Sequence, residues 1–340
     1  MIMKTKFTIQ ITGISILLLL IFCAVEGLSQ DFHLSQYDAV PMIQNPANTG
    51  MKEGRHYSAS AMYRSQWRPI SSRPFSTFIL AYDMPLEDRW GIGGYLVNSD
   101  GANVFNTFQL TGSVAYRITR QRRRSAGHHL SVGGQLGMMY KTTARELVFN
   151  NQYNPQGGGY SSDIPNYEDI ENYSKVLPEI SMGANYRYVN DQETIKPFAS
   201  FSIWHITSPK EGFLSNSGGD VRLPRRYNLL VGSRFLLQDR FILEPKINTN
   251  IQGQATEYIF GADLETTFEA REDILGTFGV HHRLKDAIII IAGIEYKGLL
   301  FTMSFDINTT ELSEYVKGSS AMEFSLIFAP RTGRVNLFRI

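Results

Sequence analysis

The chain is expected to fold as an all-β transmembrane β-barrel of about fourteen antiparallel strands, with a short N-terminal leader placed to plug the lumen. Three observations point there. Apolar and polar residues alternate with period two along most of the chain, the mark of a strand with two unlike faces. The polar faces carry whole charges rather than mostly Ser and Thr. Aromatics make up 12% of the 340 residues, with 17 Tyr and 21 Phe, and recur near strand ends. In water such strands would pack into a sandwich. In a bilayer the same pattern turns its apolar face to lipid and its polar face to a lumen, and closure removes unpaired edges.

Residues 1–29 read as a secretory signal. Lys4 and Lys6 form a positive start, Ile9 to Val25 an apolar core, and Gly27-Leu28-Ser29 the small residues a peptidase wants. Cleavage is expected before Gln30; an uncleaved anchor helix is the alternative, and bulky Phe22 before Cys23 disfavours a lipoprotein. Cys23 is the only cysteine, so a mature chain has no disulfide. Net charge is +1, which excludes a global field recruiting nucleic acid.

Residues 30–54 form the leader. Asn45 can cap a short helical turn, Pro46 suits its first position, and Gly50 can end it. The apolar Val40, Pro41, Met42 and Ile43 favour a plug over a disordered periplasmic tail.

The barrel is expected over 55–329. No run of about eighteen apolar residues follows the signal, so no membrane helix is expected. Strands are placed at 55–67, 75–84, 90–98, 104–119, 128–141, 176–190, 195–206, 226–237, 240–251, 254–268, 272–282, 286–296, 299–307 and 320–329. The clearest is 104–119, where Val104, Phe108, Leu110, Val114, Tyr116 and Ile118 share one face. Connections after even strands are short; the long ones, 142–175, 207–225 and 308–319, follow odd strands, as outer loops do in barrels. The short Gly253 turn is an exception. The tail 330–340, PRTGRVNLFRI, leaves either Phe328 or Val335 to Phe338 as the assembly signal.

No Gly-x-Ser-x-Gly elbow occurs. The glycines at 157–159 are followed by Tyr160-Ser161, which is no phosphate loop. His128-His129 and His281-His282 would point to opposite faces of a strand, and no zinc spacing accompanies them. The acidic Asp163, Glu168, Asp169 and Glu171 lack calcium-loop spacing. No cofactor and no metal are expected. Arg64, Gln66, Asp83, Glu179, Arg187 and Glu244 should project inward or sit near a rim. The basic run Arg117, Arg120, Arg122, Arg123 and Arg124 is either a charged turn or a contact for an acidic periplasmic partner or lipid headgroups.

One set of residues carries a more specific signal. Ser35-Gln36-Tyr37, Pro41, Asn45-Pro46-Ala47, Thr49-Gly50, Tyr63-Arg64, Gln66-Trp67 and Tyr82-Asp83, with Ser202 and Trp204-His205 further on, occur in an order that resembles the PorP/SprF family. Its members are outer-membrane proteins of the type IX secretion and gliding systems of Bacteroidota. The resemblance implies a non-enzymatic outer-membrane component. Its implied partners are outer-membrane lipid, a large secreted protein with a C-terminal sorting domain, and a periplasmic or peptidoglycan-linked protein. From loop position, Tyr160, Tyr167, Phe213 and Leu214 are candidate cargo anchors, aromatics being frequent at interface hot spots. The alternative is passive uptake of hydrophobic small molecules, because the Asn-Pro-Ala leader also resembles the plugged fatty-acid transporters.

Overall fold

The computed structural model describes residues 31–52, 54–68, 73–87, 89–119, 126–144, 152–155, 157–161, 163–165, 173–213, 221–238, 240–268, 271–310 and 319–330. The expectations for 1–29, Arg120, Arg122 to Arg124, Tyr167, Glu168, Asp169, Glu171, Leu214 and 331–340 lie outside them.

Fourteen antiparallel strands close into one barrel. The first five are β1 (Ser58–Gln66), β2 (Phe75–Leu86), β3 (Trp90–Gly101), β4 (Phe105–Arg117) and β5 (Gly127–Thr143). A small separate hairpin follows, β6 (Tyr153–Asn154) and β7 (Gly159–Tyr160). The wall resumes with β8 (Ser174–Val189), β9 (Ile195–Trp204), β10 (Arg226–Leu237), β11 (Phe241–Gln252) and β12 (Ala255–Phe268). It ends with β13 (Arg271–Arg283), β14 (Ala287–Tyr296), β15 (Leu299–Asn308) and β16 (Ser319–Phe328). Strand β1 pairs with β16 from Ala59↔Phe328 to Gln66↔Ala321, so no edge of the wall is left open. The seam is tied below the strands, where Arg55 reaches the Ala329 carbonyl and lies 3.3 Å from Glu295.

The wall is inside out relative to a water-soluble sheet. Leu136 is 68% exposed and Val176 65%, while Glu179 and Glu323 are 0% exposed. That distribution is stable where lipid surrounds the wall and the interior satisfies its own polar groups. Aromatics gather at both rims. Trp90 and Tyr116 meet at 4.7 Å and Tyr57 stacks on Tyr82 at 5.8 Å at one end; Trp67 meets Phe75 at 4.9 Å at the other. Their amphipathic rings suit the two interfaces of a bilayer.

The leader runs through the interior. It contains a short helix, α1 (Pro41–Gln44), and a 3-10 turn over Pro46–Asn48. Asn45 caps that turn, its side chain accepting the Ala47 amide at 2.8 Å, and Gly50 takes the left-handed φ of 62° that favours glycine. Leader residues Leu34, Tyr37, Val40, Met42 and Ile43 share one buried apolar cluster with wall residues that include Met62, Ile79, Val97 and Trp204.

Candidate functional site: the occupied lumen

Three sectors of the wall hold the leader. At the first, the Glu323 carboxylate accepts the amides of Ser35 at 2.6 Å and Gln36 at 2.8 Å. The Ser35 hydroxyl donates to Asp306 at 2.6 Å and accepts from Arg64 at 3.0 Å and Arg283 at 2.8 Å. Arg64 also pairs with Glu323 and lies 3.3 Å from Asp306, and Arg283 reaches Asp306 at 3.0 Å. Two guanidiniums thus neutralise buried carboxylates in their planar fork geometry. The hydrogen-bonding capacity of the Ser35 hydroxyl is spent on structure. Beside it, burial first, then Arg283 and Arg64, hold the His33 imidazole well below its ordinary 6.5.

The second sector is built from β5, β8 and β9. Asn45 donates to the Ala184 and Phe201 carbonyls, each at 3.0 Å, and to Ser200 at 2.7 Å. Its amide oxygen lies where a Cβ on Gly183 would stand, and the Pro46 carbonyl where one on Gly133 would stand. The wall also reads the leader's main chain: Gln135 donates to the Met42 carbonyl, Ser202 to Gln44 and Ser131 to Ala47, at 2.8, 2.8 and 2.9 Å. At the third sector Thr49 meets Ser113 at 2.5 Å and the Gly50 amide donates to Asp83 at 2.7 Å.

Between the first two sectors Asp38, Glu244 and Asp263 approach within 4.8 Å of one another. The Lys246 ammonium sits among them, bonded to Asp38, 2.5 Å from Asp263 and 3.3 Å from Glu244. It supplies the positive charge a divalent ion would bring, so the cluster is an ion-pair hub. Tyr37 lies under that ammonium at 5.5 Å and meets the His281 ring edge-on at 6.2 Å; burial raises the phenol pKa. His281 points inward to Asp263 at 2.8 Å while His282 points outward against Phe260, the opposite facing that strand geometry dictates.

The described segments 205–213 and 221–225 of the connection between β9 and β10 fold against the inner wall. Leu223 is fully buried against Met139 and Leu177, Glu211 pairs with Lys141 at 2.5 Å, and the backbones at Lys210 and Arg222 form an antiparallel β-bridge. His205, at φ 55°, turns the chain out of β9, its amide and ring held by the Glu179 carboxylate at 3.2 and 2.5 Å.

The candidate residues therefore divide. Ser35, Gln36, Asn45, Pro46, Gly50, Arg64 and Asp83 form the lumen lock, while Tyr63, Trp67 and Tyr82 are exposed on the outer face. Gln66 ends β1 opposite Ala321. Tyr160 is 58% exposed and packs on Tyr153. Phe213 is half-buried, near Phe105 at 6.4 Å and under Lys175 at 6.0 Å. Sequence reasoning missed the leader's distant partners Glu323, Asp306, Arg283, Lys246 and Asp263. Each occupies the polar face of an alternating strand, which signals direction but not partner.

A family model described as type IX secretion system membrane protein PorP/SprF matches residues 27–328. The chain belongs to the PorP/SprF family. It is thus a membrane component of type IX secretion with an outer-membrane-type barrel. No curated protein matches. Among solved structures, CymD, a monoaromatic hydrocarbon channel, is similar at TM-score 0.51 and 11% identity, over 91% of this chain and 96% of that one. The Ralstonia pickettii toluene transporter TbuX is similar at 0.51 and 12%, over 85% and 92%. The Pseudomonas putida toluene transporter TodX is similar at 0.50 and 12%, over 88% and 94%. Identities this low establish a shared fold and nothing more about this PorP/SprF chain.

Proposed function

We propose that this barrel recognises a large secreted protein by its C-terminal sorting domain and helps to secrete it or attach it at the cell surface. The occupied lumen supports this reading: the leader fills the interior, so recognition falls to the rims and loops. The long connections 142–175, 207–225 and 308–319 leave the barrel at its extracellular end, 207–225 with its described parts turned into the lumen, and the short ones, with the basic segment Arg120 to Arg124, face a periplasmic partner. Residues 1–29 direct export and are removed, leaving a mature chain that starts near Gln30. Deleting the gene should abolish surface display of one specific large protein and leave small-molecule uptake unchanged. An epitope near Gly158 should be labelled on intact cells.

Passive uptake of a hydrophobic nutrient is the competing reading, suggested by the hydrocarbon channel and the toluene transporters of similar fold. A lumen crossed by Arg64, Glu323, Asp306, Lys246 and Asp263 is a poor path for an apolar solute, since such a solute cannot replace the hydrogen bonds of those charges. Impaired growth on a hydrophobic nutrient, with cargo display intact, would decide for uptake.

A further inference from the structure

Gln44 of the leader touches β9, which leads into the inturned segments 205–213 and 221–225, and β11, the neighbour of the β10 strand that follows them. On the β9 side its carbonyl accepts the Ser202 hydroxyl at 2.8 Å, and that hydroxyl accepts the Trp204 indole N–H at 3.0 Å. Trp204 is 2% exposed, lies in the leader's own apolar cluster and precedes His205, where the connection leaves the wall. The Gln44 side-chain amide donates to Asn248 of β11 at 3.3 Å, and Asn248 accepts from Asn228 of β10 at 2.7 Å. The Arg226 guanidinium, which opens β10, lies 4.9 Å over the Trp204 ring. One leader residue therefore braces the β9 stem directly and the β10 stem through Asn248 of β11.

We propose that the docked leader and the inturned segments 205–213 and 221–225 are a coupled pair of closures, joined through Gln44, Ser202 and Trp204, so that releasing one loosens the other. The Ser202 hydroxyl has one proton and gives it to Gln44. With the leader gone, both that bond and the apolar packing of Trp204 are lost, and the turn at His205 loses its support. Coupling of this kind is reciprocal: whatever frees the connection must equally weaken leader docking. The inference rests on lumen geometry alone and stands whether or not the barrel handles cargo.

Thiol labelling tests it. Cys23, the only native cysteine, is changed to Ser throughout. Met42→Cys reports the leader and Leu223→Cys the connection, both read in full-length barrel that keeps its compact, heat-modifiable mobility. The leader is loosened at the sector remote from the connection, with Ser35→Ala, then Gln36→Ala, then Glu323→Gln, added stepwise until Met42→Cys labels faster. Leu223→Cys should then accelerate in parallel, about tenfold, within the usual range of allosteric coupling. Glu211→Gln should in turn accelerate Met42→Cys. Ser202→Ala should weaken the response of Leu223→Cys to the same leader changes. Acceleration at Met42→Cys with Leu223→Cys at its original rate would overturn the proposal.

Discussion

The backbone amide of Ser35 donates to the Glu323 carboxylate at 2.6 Å across 288 positions of sequence. The start of the leader is thereby bound to the last strand of the barrel, and Arg64 on β1 bonds to both. Leader docking and barrel closure draw on the same buried charges.

Arg64→Ala should therefore be among the costliest single changes in the chain. It leaves Glu323, 0% exposed, without its guanidinium, and Asp306, 1% exposed, with Arg283 alone. Breaking a buried pair from one side costs about 3–5 kcal/mol, against about 0–1 for an exposed pair. Arg64→Lys should recover only part of the loss, because an ammonium cannot fork to two carboxylates. Denaturant unfolding of the micelle-held barrel measures the difference, and a cost under about 1 kcal/mol would show the pair to be effectively solvated.

Glycine substitutions should separate the two faces of a single strand. Gly133 and Gly134 are neighbours on β5. A Cβ at Gly133 would meet the Pro46 backbone, whereas at Gly134 its nearest atom is the Ser181 carbonyl at 3.8 Å. Gly133→Ala should expel the Asn45-Pro46 turn at about 1–3 kcal/mol, the usual cost of overpacking. Gly134→Ala should be close to neutral. Protease sensitivity of the leader is the readout, and equal effects of the two changes would contradict the docking geometry.

How much of this was legible before the structure depends on the kind of information. Alternation located all fourteen wall strands, and Asn45, Pro46 and Gly50 marked the leader turn. Alternation assigns a residue to a face but not to a height along the barrel axis. The meeting of Ser35 with Glu323, or of Asp38 with Lys246, depends on register summed around the closed wall, which no local pattern encodes. The β6–β7 hairpin is too short for periodicity to reveal. The connection 207–225 read as an outward loop from its length and its place after an odd strand; among its described residues Leu223, buried against Met139 and Leu177, and Glu211, paired with Lys141, draw it inward. The strand expected to reach 206 stops at Trp204 because His205 takes a positive φ.

Acid should loosen the leader through His33. Its folded-state pKa lies well below 6.5, held down first by burial and then by Arg283 and Arg64. The undocked leader binds a proton near 6.5 and the docked one does not. His33 thus contributes its full stability above that pH and loses it as pH falls through 6.5 toward the depressed value. Undocking should grow by up to about tenfold per pH unit in that window. Limited proteolysis of the leader at pH 7.5, 6.5 and 5.5 would follow it. His33→Gln should flatten the profile; an unchanged slope in that variant would assign the titration to other groups.

The cargo reading makes a sharper demand on the outer loops. Replacing 207–225 with a short Gly-Ser linker should abolish cargo display while the barrel stays in the membrane, because a strand ladder closes without its loops. That replacement also removes Leu223 and Glu211, so it cannot distinguish a lost receptor from a lost inner closure. Phe213→Ala and Tyr160→Ala can. Leu223 keeps its packing against Met139 and Leu177 in both, and Glu211 keeps Lys141. An aromatic anchor at an interface hot spot contributes about 2 kcal/mol or more, which corresponds to roughly a thirtyfold loss of cargo affinity. Binding of the isolated sorting domain to purified barrel gives that number. If both variants bind it as the unaltered barrel does while the linker variant does not, these side chains are not the anchors, and the defect lies in the inturned part of the connection.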